Sequence, residues 1–166
     1  HSIKNARFYK AKIRTIRKSG VCDEIPIIVS DRIMEMNRDW EHEFLRIHGE
    51  YRSRNDNGHL RLYVFVLDIE PVIDADYENE ISLNGYICRK PYYREMPLER
   101  EITDILIAVN RGNGRTDYIP CIAWCNNARR ASELPIGTRM KVTGRIQSRE
   151  YIKQITEEYA ERRTAY

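Results

Sequence analysis

The sequence lacks the features that would place it among enzymes or membrane proteins. No apolar run approaches the roughly 20 residues of a membrane span, and no signal-peptide pattern is present. There is no glycine-rich phosphate loop, no carboxylate pair with a histidine, and no nucleophile–base signature. We therefore expect a protein that is not an enzyme and has no membrane partner.

Cysteine is also scarce, with four residues in a chain of 166. Cys121 and Cys125 are four residues apart along one predicted strand and cannot easily form a disulfide, and Cys22 and Cys88 have no spacing partner. A zinc site would need pairs of the Cys-x-x-Cys kind, which are absent. We expect a reducing, cytoplasmic compartment, no metal site and no cofactor.

One strand–loop–strand unit occurs twice. The segment Asp23–Val29 matches Asp117–Ala123 at an offset of 94 residues, including an Ile-Pro pair. Further along, Gly49–Arg54 matches Gly144–Arg149 at an offset of 95 residues. Solenoid repeats have periods of roughly 20–50 residues, so this longer period indicates a domain duplication. The chain has room for two such domains of about 75–80 residues each.

The net charge of +3 hides an uneven distribution. Residues 1–67 carry 13 Lys and Arg against 9 acids, and residues 81–153 carry 13 against 7. Residues 68–80 contain six acids and no base. Two basic modules joined by an acidic linker are typical of a protein that binds a polyanion. A solvated surface with a polar linker is the alternative interpretation of the same charges.

Hydrophobic alternation and turn residues predict short strands in both halves, each with one short helix directly after the strand that contains the Ile-Pro pair. In the first half the strands are at 8–16, 25–29, 44–53 and 60–67, and the helix at 31–43. In the second half the strands are at 81–88, 102–109, 118–124 and 139–151, and the helix at 126–134.

This order predicts an all-β protein made of two tandem OB-fold (oligonucleotide/oligosaccharide-binding) domains. Each is a five-stranded Greek-key barrel with a short helix between its third and fourth strands. The first half has no evident opening strand and the second no evident closing strand, so we expect both terminal strands to be cropped. The predicted domains are a degenerate OB-fold barrel at 1–67, an acidic linker at 68–80, and an OB-fold barrel that binds single-stranded nucleic acid, with a charged C-terminal segment, at 81–166.

Three segments of the second half resemble the bacterial single-stranded DNA-binding protein family. They are Thr103–Arg111, which ends in Val-Asn-Arg, Thr116–Trp124, which contains Asp-Tyr-Ile-Pro, and Gly144–Tyr151, which begins Gly-Arg-Ile-Gln-Ser-Arg. The resemblance is strong over residues 80–153 and weak over residues 8–67. The duplication makes the chain similar to tandem versions of these proteins in gut Firmicutes.

The resemblance implies sequence-independent binding of single-stranded DNA, and protection of that DNA in replication, repair, recombination or the transfer of mobile elements. It also implies a bacterial, nucleoid-associated location in the cytoplasm. The implied partners are single-stranded DNA, replication or recombination proteins, and a second copy of the chain, giving a homodimer of two-barrel chains.

Binding single-stranded DNA requires flat aromatic surfaces for the bases and a cationic groove for the phosphates. The resemblance implies stacking by Tyr118, Trp124 and Tyr151, and the loop after Lys90 adds Tyr92 and Tyr93 as candidates. The predicted phosphate contacts are Lys90, Arg111, Arg115, Arg129, Arg145, Arg149 and Lys153. The alternatives are a core position for Trp124, loop packing for Tyr92 and Tyr93, and ordinary solvation for each arginine.

The first copy has lost the stacking aromatics. In the sequence repeat, Glu24 is equivalent to Tyr118 and Ser30 is equivalent to Trp124, while Asp56 is near the position equivalent to Tyr151. Carboxylates repel phosphate, so we predict a mainly structural role for the first barrel. Two other functions fit the sequence. One is an accessory module that docks primosome or recombination proteins, and the other is an RNA-binding OB protein.

Overall fold

The computed structural model of the protein describes residues 7–34, 43–74, 76–154 and 160–165, with side chains described up to residue 148. Strands and short helices alternate along these residues in the order β1 (Phe8–Ile16), β2 (Cys22–Ser30), α1 (Asp31–Met34), β3 (Leu45–Asp56), β4 (His59–Pro71), β5 (Ile81–Ile87), β6 (Tyr92–Met96), β7 (Arg100–Asn110), β8 (Thr116–Trp124), α2 (Asn126–Ser132), β9 (Arg139–Gly144), β10 (Arg149–Gln154) and β11 (Ala160–Ala165). The all-β class is confirmed, and each predicted helix begins where expected. Residues 1–6, where the opening strand was in question, and residues 35–42 of the longer predicted helix lie outside the described part.

The chain divides into two compact units. The first contains His1–Tyr51, Asn55–Glu80 and Arg145–Tyr166, and the second contains Arg52–Arg54 and Ile81–Gly144. This division differs from the predicted boundaries at residues 67 and 81. Three residues from β3 belong to the second unit, and all residues after Gly144 belong to the first.

The first unit contains a four-stranded sheet in the order β1-β2-β4-β3. Strand β1 is antiparallel to β2, whereas β2 runs parallel to β4, with Ile27 opposite Val64. The turn between β3 and β4 has Asn57 and Gly58 at φ values of 50° and 83°, as the Asn-Gly sequence predicts for a tight hairpin. The core of this unit consists of Ile27, Val29, Val66 and Ile69.

The second unit contains a five-stranded sheet in which β6, β5 and β8 all pair with β7, and β9 pairs with β5. Its core consists of Ile87, Ile105, Ile107 and Ala131. Helix α2 covers one side of the sheet, where the Thr103 hydroxyl donates to the Ala128 carbonyl at 2.6 Å. Gly85 allows β5 to approach β7, because a Cβ at this position would collide with the Ala108 carbonyl oxygen.

The duplication is preserved in strand register. In the first unit Phe8 lies opposite Ser30, and in the second unit Ile102 lies opposite Trp124. Both residues of the second pair are 94 positions after those of the first, and all the remaining pairs of these two hairpins have the same offset of 94 residues. Equivalent positions of the two copies therefore point to equivalent sides of their sheets.

Three local features differ from the sequence prediction. Tyr92–Met96 forms a strand against β7 where a loop was expected, and the connecting turn has Leu98 and Glu99 at positive φ without a glycine or asparagine to signal it. The predicted linker begins inside β4, which continues to Pro71. Strand β11 pairs with β10 where no closing strand was evident.

Candidate nucleic-acid interface

Two of the predicted aromatic residues lie on the outer side of β8. Tyr118 is opposite Ala108 and Trp124 is opposite Ile102, and each aromatic side chain is 45% exposed. Between them, Ile119 is 2% exposed and points to the core, as strand alternation requires. The exposure of Trp124 does not fit a tryptophan buried in the core.

A third aromatic residue, Tyr86, was not predicted from the sequence and lies level with Tyr118 across the strands of the sheet. Tyr86 on β5 is opposite Ala108 on β7, and Ala108 is opposite Tyr118 on β8. Residues directly opposite each other point to the same side of a sheet, and adjacent strands are about 4.8 Å apart. Tyr86, which is 43% exposed, therefore projects beside Tyr118 with only the small Ala108 between them. Strict alternation along 81–87 was the signal that Tyr86 faces outward.

The register separates Tyr92 from Tyr93. Tyr92 is opposite Asp104, on the outer side of the sheet, and is 64% exposed. Tyr93 is opposite Thr103, on the side covered by α2. Partial burial raises the pKa of Tyr93, and the nearby Glu101 carboxylate raises it further. The structure therefore places Tyr92, but not Tyr93, with Tyr118 and Trp124.

The outer side also carries cations. Arg139 on β9 is opposite Tyr86, and Lys141 is opposite Asn84; both cations are exposed and were not predicted from the sequence. Lys90 and Arg115, which were predicted, are exposed in the connections after β5 and before β8. The acid on this side, Asp104, is 3.0 Å from the Arg94 guanidinium, which offsets its charge. We call this surface the aromatic face, defined by Tyr86, Tyr92, Tyr118, Trp124, Arg139 and Lys141, while Lys90 and Arg115 lie in connections that adjoin its strands.

Two predicted phosphate contacts are paired with carboxylates of the second unit, Arg111 in a largely buried position and Arg129 with a side chain that is 68% exposed. Arg111 donates to both oxygens of Asp117 at 2.6 and 2.7 Å, and its side chain is only 15% exposed. Arg129 donates to both oxygens of Glu101 at 2.5 and 2.7 Å and lowers the pKa of that carboxyl. Sequence patterns do not distinguish an arginine facing phosphate from one that neutralises a nearby acid.

Arg111 belongs to a buried anchor with a partner from the first copy. Asp117 is 2% exposed and accepts a hydrogen bond from the Ser53 N–H at 2.9 Å, while the Tyr118 N–H donates to the Ser53 hydroxyl at 2.8 Å. Burial alone would raise the pKa of Asp117, but hydrogen bonds from Arg111 and Ser53 hold it below its ordinary value. All four residues belong to the second unit.

The first unit contains the matching anchor. Asp23 accepts from Arg17 at 2.7 and 2.8 Å and from the Ser148 N–H at 3.0 Å. The Glu24 N–H donates to the Ser148 hydroxyl at 2.9 Å. The aspartate of each copy of the sequence repeat is thus hydrogen-bonded to the serine of the other copy, Asp23 to Ser148 and Asp117 to Ser53. We call this arrangement the segment exchange.

The remaining predicted site residues follow Gly144 in the sequence, and they are placed in the first unit. Arg145, Arg149, Tyr151 and Lys153 belong to the first unit and not to the unit that carries Tyr118 and Trp124. Arg145 is exposed there. The side chains of the other three lie outside the described residues. Grouping these residues with Tyr118 was the expectation, and the structure does not bring them together in one unit.

The outer side of the first unit lacks the corresponding rings. Glu24 and Ser30 occupy the positions of Tyr118 and Trp124. Glu24 is 3.1 Å from Arg14 and 4.0 Å from Lys12, so one acid faces two cations of the predicted basic stripe. This arrangement weakens the attraction of the first unit for phosphate.

Among the described residues, no group of three or more His, Cys, Asp or Glu side chains could hold a metal ion. None of the helices in the described ranges is long and apolar enough to cross a membrane. The cysteines are free: burial raises the pKa of Cys121 to about 11, and the exposed ones are Cys22, Cys88 and Cys125.

Comparison with known proteins agrees with the architecture. The single-strand binding protein family model matches residues 78–165, more than half of the chain. The wild-type single-stranded DNA-binding protein from Thermus aquaticus superimposes with a TM-score of 0.65 at 23% identity, covering 86% of this chain and 72% of that one. A deletion mutant of the same protein gives 0.64 at 24% identity, covering 86% and 74%.

A search of curated protein sequences gives no match. The structural likeness confirms the fold as tandem OB-type units of the kind expected from the sequence. On the family match, this chain belongs to the single-strand binding protein family.

Proposed function

We propose that the protein binds single-stranded DNA without sequence preference through the aromatic face of the second unit. The observation that carries the proposal is the set of four exposed rings on one side of a five-stranded sheet, with the exposed cations Arg139 and Lys141 on the same side and two more, Lys90 and Arg115, in adjoining connections. Large aromatic rings are normally buried, and an exposed group of them marks a binding surface. Each base stacked on a ring contributes roughly 1–3 kcal/mol, and every base has a ring to stack.

The cations complete the same surface. Lys90, Arg115, Arg139 and Lys141 supply phosphate contacts along the strand that carries the stacked bases. Contact with phosphates through charge alone reads no sequence, which agrees with a protein that coats any exposed strand. The cellular role that follows is protection of single-stranded DNA during replication, repair, recombination or transfer of mobile DNA, in the bacterial cytoplasm. Binding and coating, without catalysis, account for this role.

Two alternatives remain from the sequence. An accessory module for replication or recombination proteins would bind nucleic acid weakly, and the missing rings of the first unit favour it. An RNA-binding protein would use the same rings, because stacking does not distinguish RNA from DNA without contacts to the 2′-hydroxyl. We favour DNA because the family match is to single-strand binding proteins.

Titration of oligo-dT, oligo-U and duplex DNA at several salt concentrations tests the proposal. Four phosphate contacts predict a slope of log affinity against log salt of about −3 for a single strand. Oligo-dT should bind at least tenfold more tightly than the duplex. Equal affinity for duplex, or binding that salt does not weaken, would rule out the proposed surface and favour the accessory module.

We further propose that two chains associate as a homodimer, by analogy with the four-barrel assembly of the family. Light scattering checks this proposal directly. A dimer has about twice the 19.8 kDa mass of the chain, and a mass of one chain at micromolar concentration would contradict it.

A further inference from the structure

The exchange of serine segments has a consequence for the binding surface. The tripeptide Arg52–Arg54 belongs to the first copy in sequence but to the second unit in space. Its central residue, Ser53, is 9% exposed and makes hydrogen bonds to two consecutive residues of β8, Asp117 and Tyr118. These hydrogen bonds fix the tripeptide beside the N-terminal end of β8, next to Tyr118 of the aromatic face.

Ser53 acts on Tyr118 through the backbone. The Tyr118 N–H donates to the Ser53 hydroxyl at 2.8 Å, and the preceding residue, Asp117, accepts from the Ser53 N–H at 2.9 Å. Arg111 holds the same Asp117 carboxylate from its other side. These bonds fix the position of the Tyr118 backbone, and with it the direction in which the ring leaves the sheet.

The two arginines of the tripeptide bring positive charge to the same place. Arg52 is half-buried, and its charge contributes to lowering the pKa of Asp117. Arg54 is exposed and follows the anchored Ser53 directly, so its Cα is about 3.8 Å from that of Ser53. Arg54 is thus an exposed cation one residue from the serine whose hydroxyl accepts from the Tyr118 N–H.

We propose that the first copy completes the single-stranded DNA site of the second unit. Ser53 is a positioning residue for Tyr118, and Arg54 is a phosphate contact. This inference rests on the proposed function and refines it. The family resemblance assigns the phosphate role to Arg149, the repeat counterpart of Arg54, but residues 145–166 belong to the first unit. The first copy therefore contributes cations to a surface whose rings it does not possess.

The serines form a matched pair for the first test. Ser53→Ala and Ser148→Ala each remove one hydroxyl that accepts from a β-strand N–H, at 2.8 and 2.9 Å. Both variants should lose about 2–4 °C of Tm, because the two hydrogen bonds are equivalent. Only Ser53→Ala should weaken oligo-dT binding, by about three- to tenfold, since Ser148 anchors Glu24 and not Tyr118. Ser53→Thr, which keeps the hydroxyl, should restore binding.

A double-mutant cycle separates positioning from general destabilisation. The effects of Ser53→Ala and Tyr118→Ala on affinity should not add, because the serine acts through the tyrosine. The effects of Ser148→Ala and Tyr118→Ala should add. Equal losses of affinity in the two serine variants, or additive effects for Ser53 and Tyr118, would overturn the positioning role.

Substitutions of Arg54 and Arg149 test which copy of the repeat supplies the phosphate contact beside Tyr118. Arg54→Ala should reduce the magnitude of the salt slope for oligo-dT by about 0.7, the contribution of one contact on a single strand. Arg149→Ala tests the competing assignment from the sequence. An unchanged slope in Arg54→Ala overturns our inference, and the proposed function survives if wild-type protein still binds oligo-dT and Tyr118→Ala still weakens that binding. Failure of the wild-type protein to bind oligo-dT would overturn both.

Discussion

Replacing the two rings of β8 is the most informative perturbation of the aromatic face. Trp124→Ala and Tyr118→Ala each remove a side chain that is 45% exposed. Neither residue belongs to the core cluster of the second unit, which is built on the other side of the strand around Ile105 and Ile107. We therefore expect Tm to change by less than about 2 °C, in contrast to the loss expected for a buried aromatic residue.

The effect on binding should be much larger. Each variant loses one stacked base, which corresponds to roughly 1–3 kcal/mol, or about 5- to 150-fold in the affinity for oligo-dT. The salt slope should not change, because no phosphate contact is removed. Fluorescence titration across several salt concentrations measures both quantities. Tyr118→Phe should keep most of the affinity, since the ring remains.

The repeat supplies controls at equivalent positions of the first unit. Ser30→Ala should leave affinity within about twofold, and Glu24→Ala should leave it unchanged or raise it slightly, because a carboxylate that repels phosphate is lost. Losses of affinity at Glu24 or Ser30 as large as at Tyr118 would refute the division of labour between the copies. Unfolding of Trp124→Ala, with full binding by the remaining folded protein, would show that this tryptophan serves packing.

Three more outcomes follow from the structure. Tyr92→Ala should weaken oligo-dT binding at least fivefold while Tyr93→Ala changes it by less than twofold, as measured by the same titration; equal effects would contradict the assignment of these residues to opposite sides of the sheet. At pH 8 a thiol reagent should rapidly modify the three exposed cysteines but not Cys121, whose pKa of about 11 keeps it protonated; rapid reaction of all four would contradict this. Thermal stability should fall as the pH drops below about 4, because the folded pKa of Asp117 lies below its unfolded value and its charge is lost there. Asp117→Asn should be less stable at pH 7 and have a flatter acid profile, and an acid profile identical to that of wild type would refute the role of the anchor.

Local patterns in the sequence predicted most of the strands and the outward direction of Tyr118. These features depend on alternation within one strand, which is readable from neighbouring residues. The duplicated landmarks at 23–29 and 117–123 likewise predicted two equivalent hairpins, and the shared register agrees. Alternation along 81–87 indicates that Tyr86 faces outward, but its place beside Tyr118 depends on the register of β5 against β7, which cannot be read from spacing.

The segment exchange could not be predicted from the sequence for a different reason. Ser53 and Ser148 have the same local sequence pattern, so each fits the anchor at Asp23 as well as the anchor at Asp117. Chain connectivity and packing select the pairing, and neither leaves a local signal. The same limitation explains Arg111, which reads as a surface cation until the buried carboxylate beside it is known.

Direct contact between Trp124 and a bound base is the central claim, and a single-tryptophan protein tests it. The chain has two tryptophans, so Trp40→Phe leaves Trp124 as the sole indole fluorophore. Saturating oligo-dT should quench its emission strongly and protect it from iodide, and Tyr118→Ala in the same background should shift the titration to higher concentrations. Tight binding of oligo-dT with no change in Trp124 emission or in its accessibility to iodide would contradict the account.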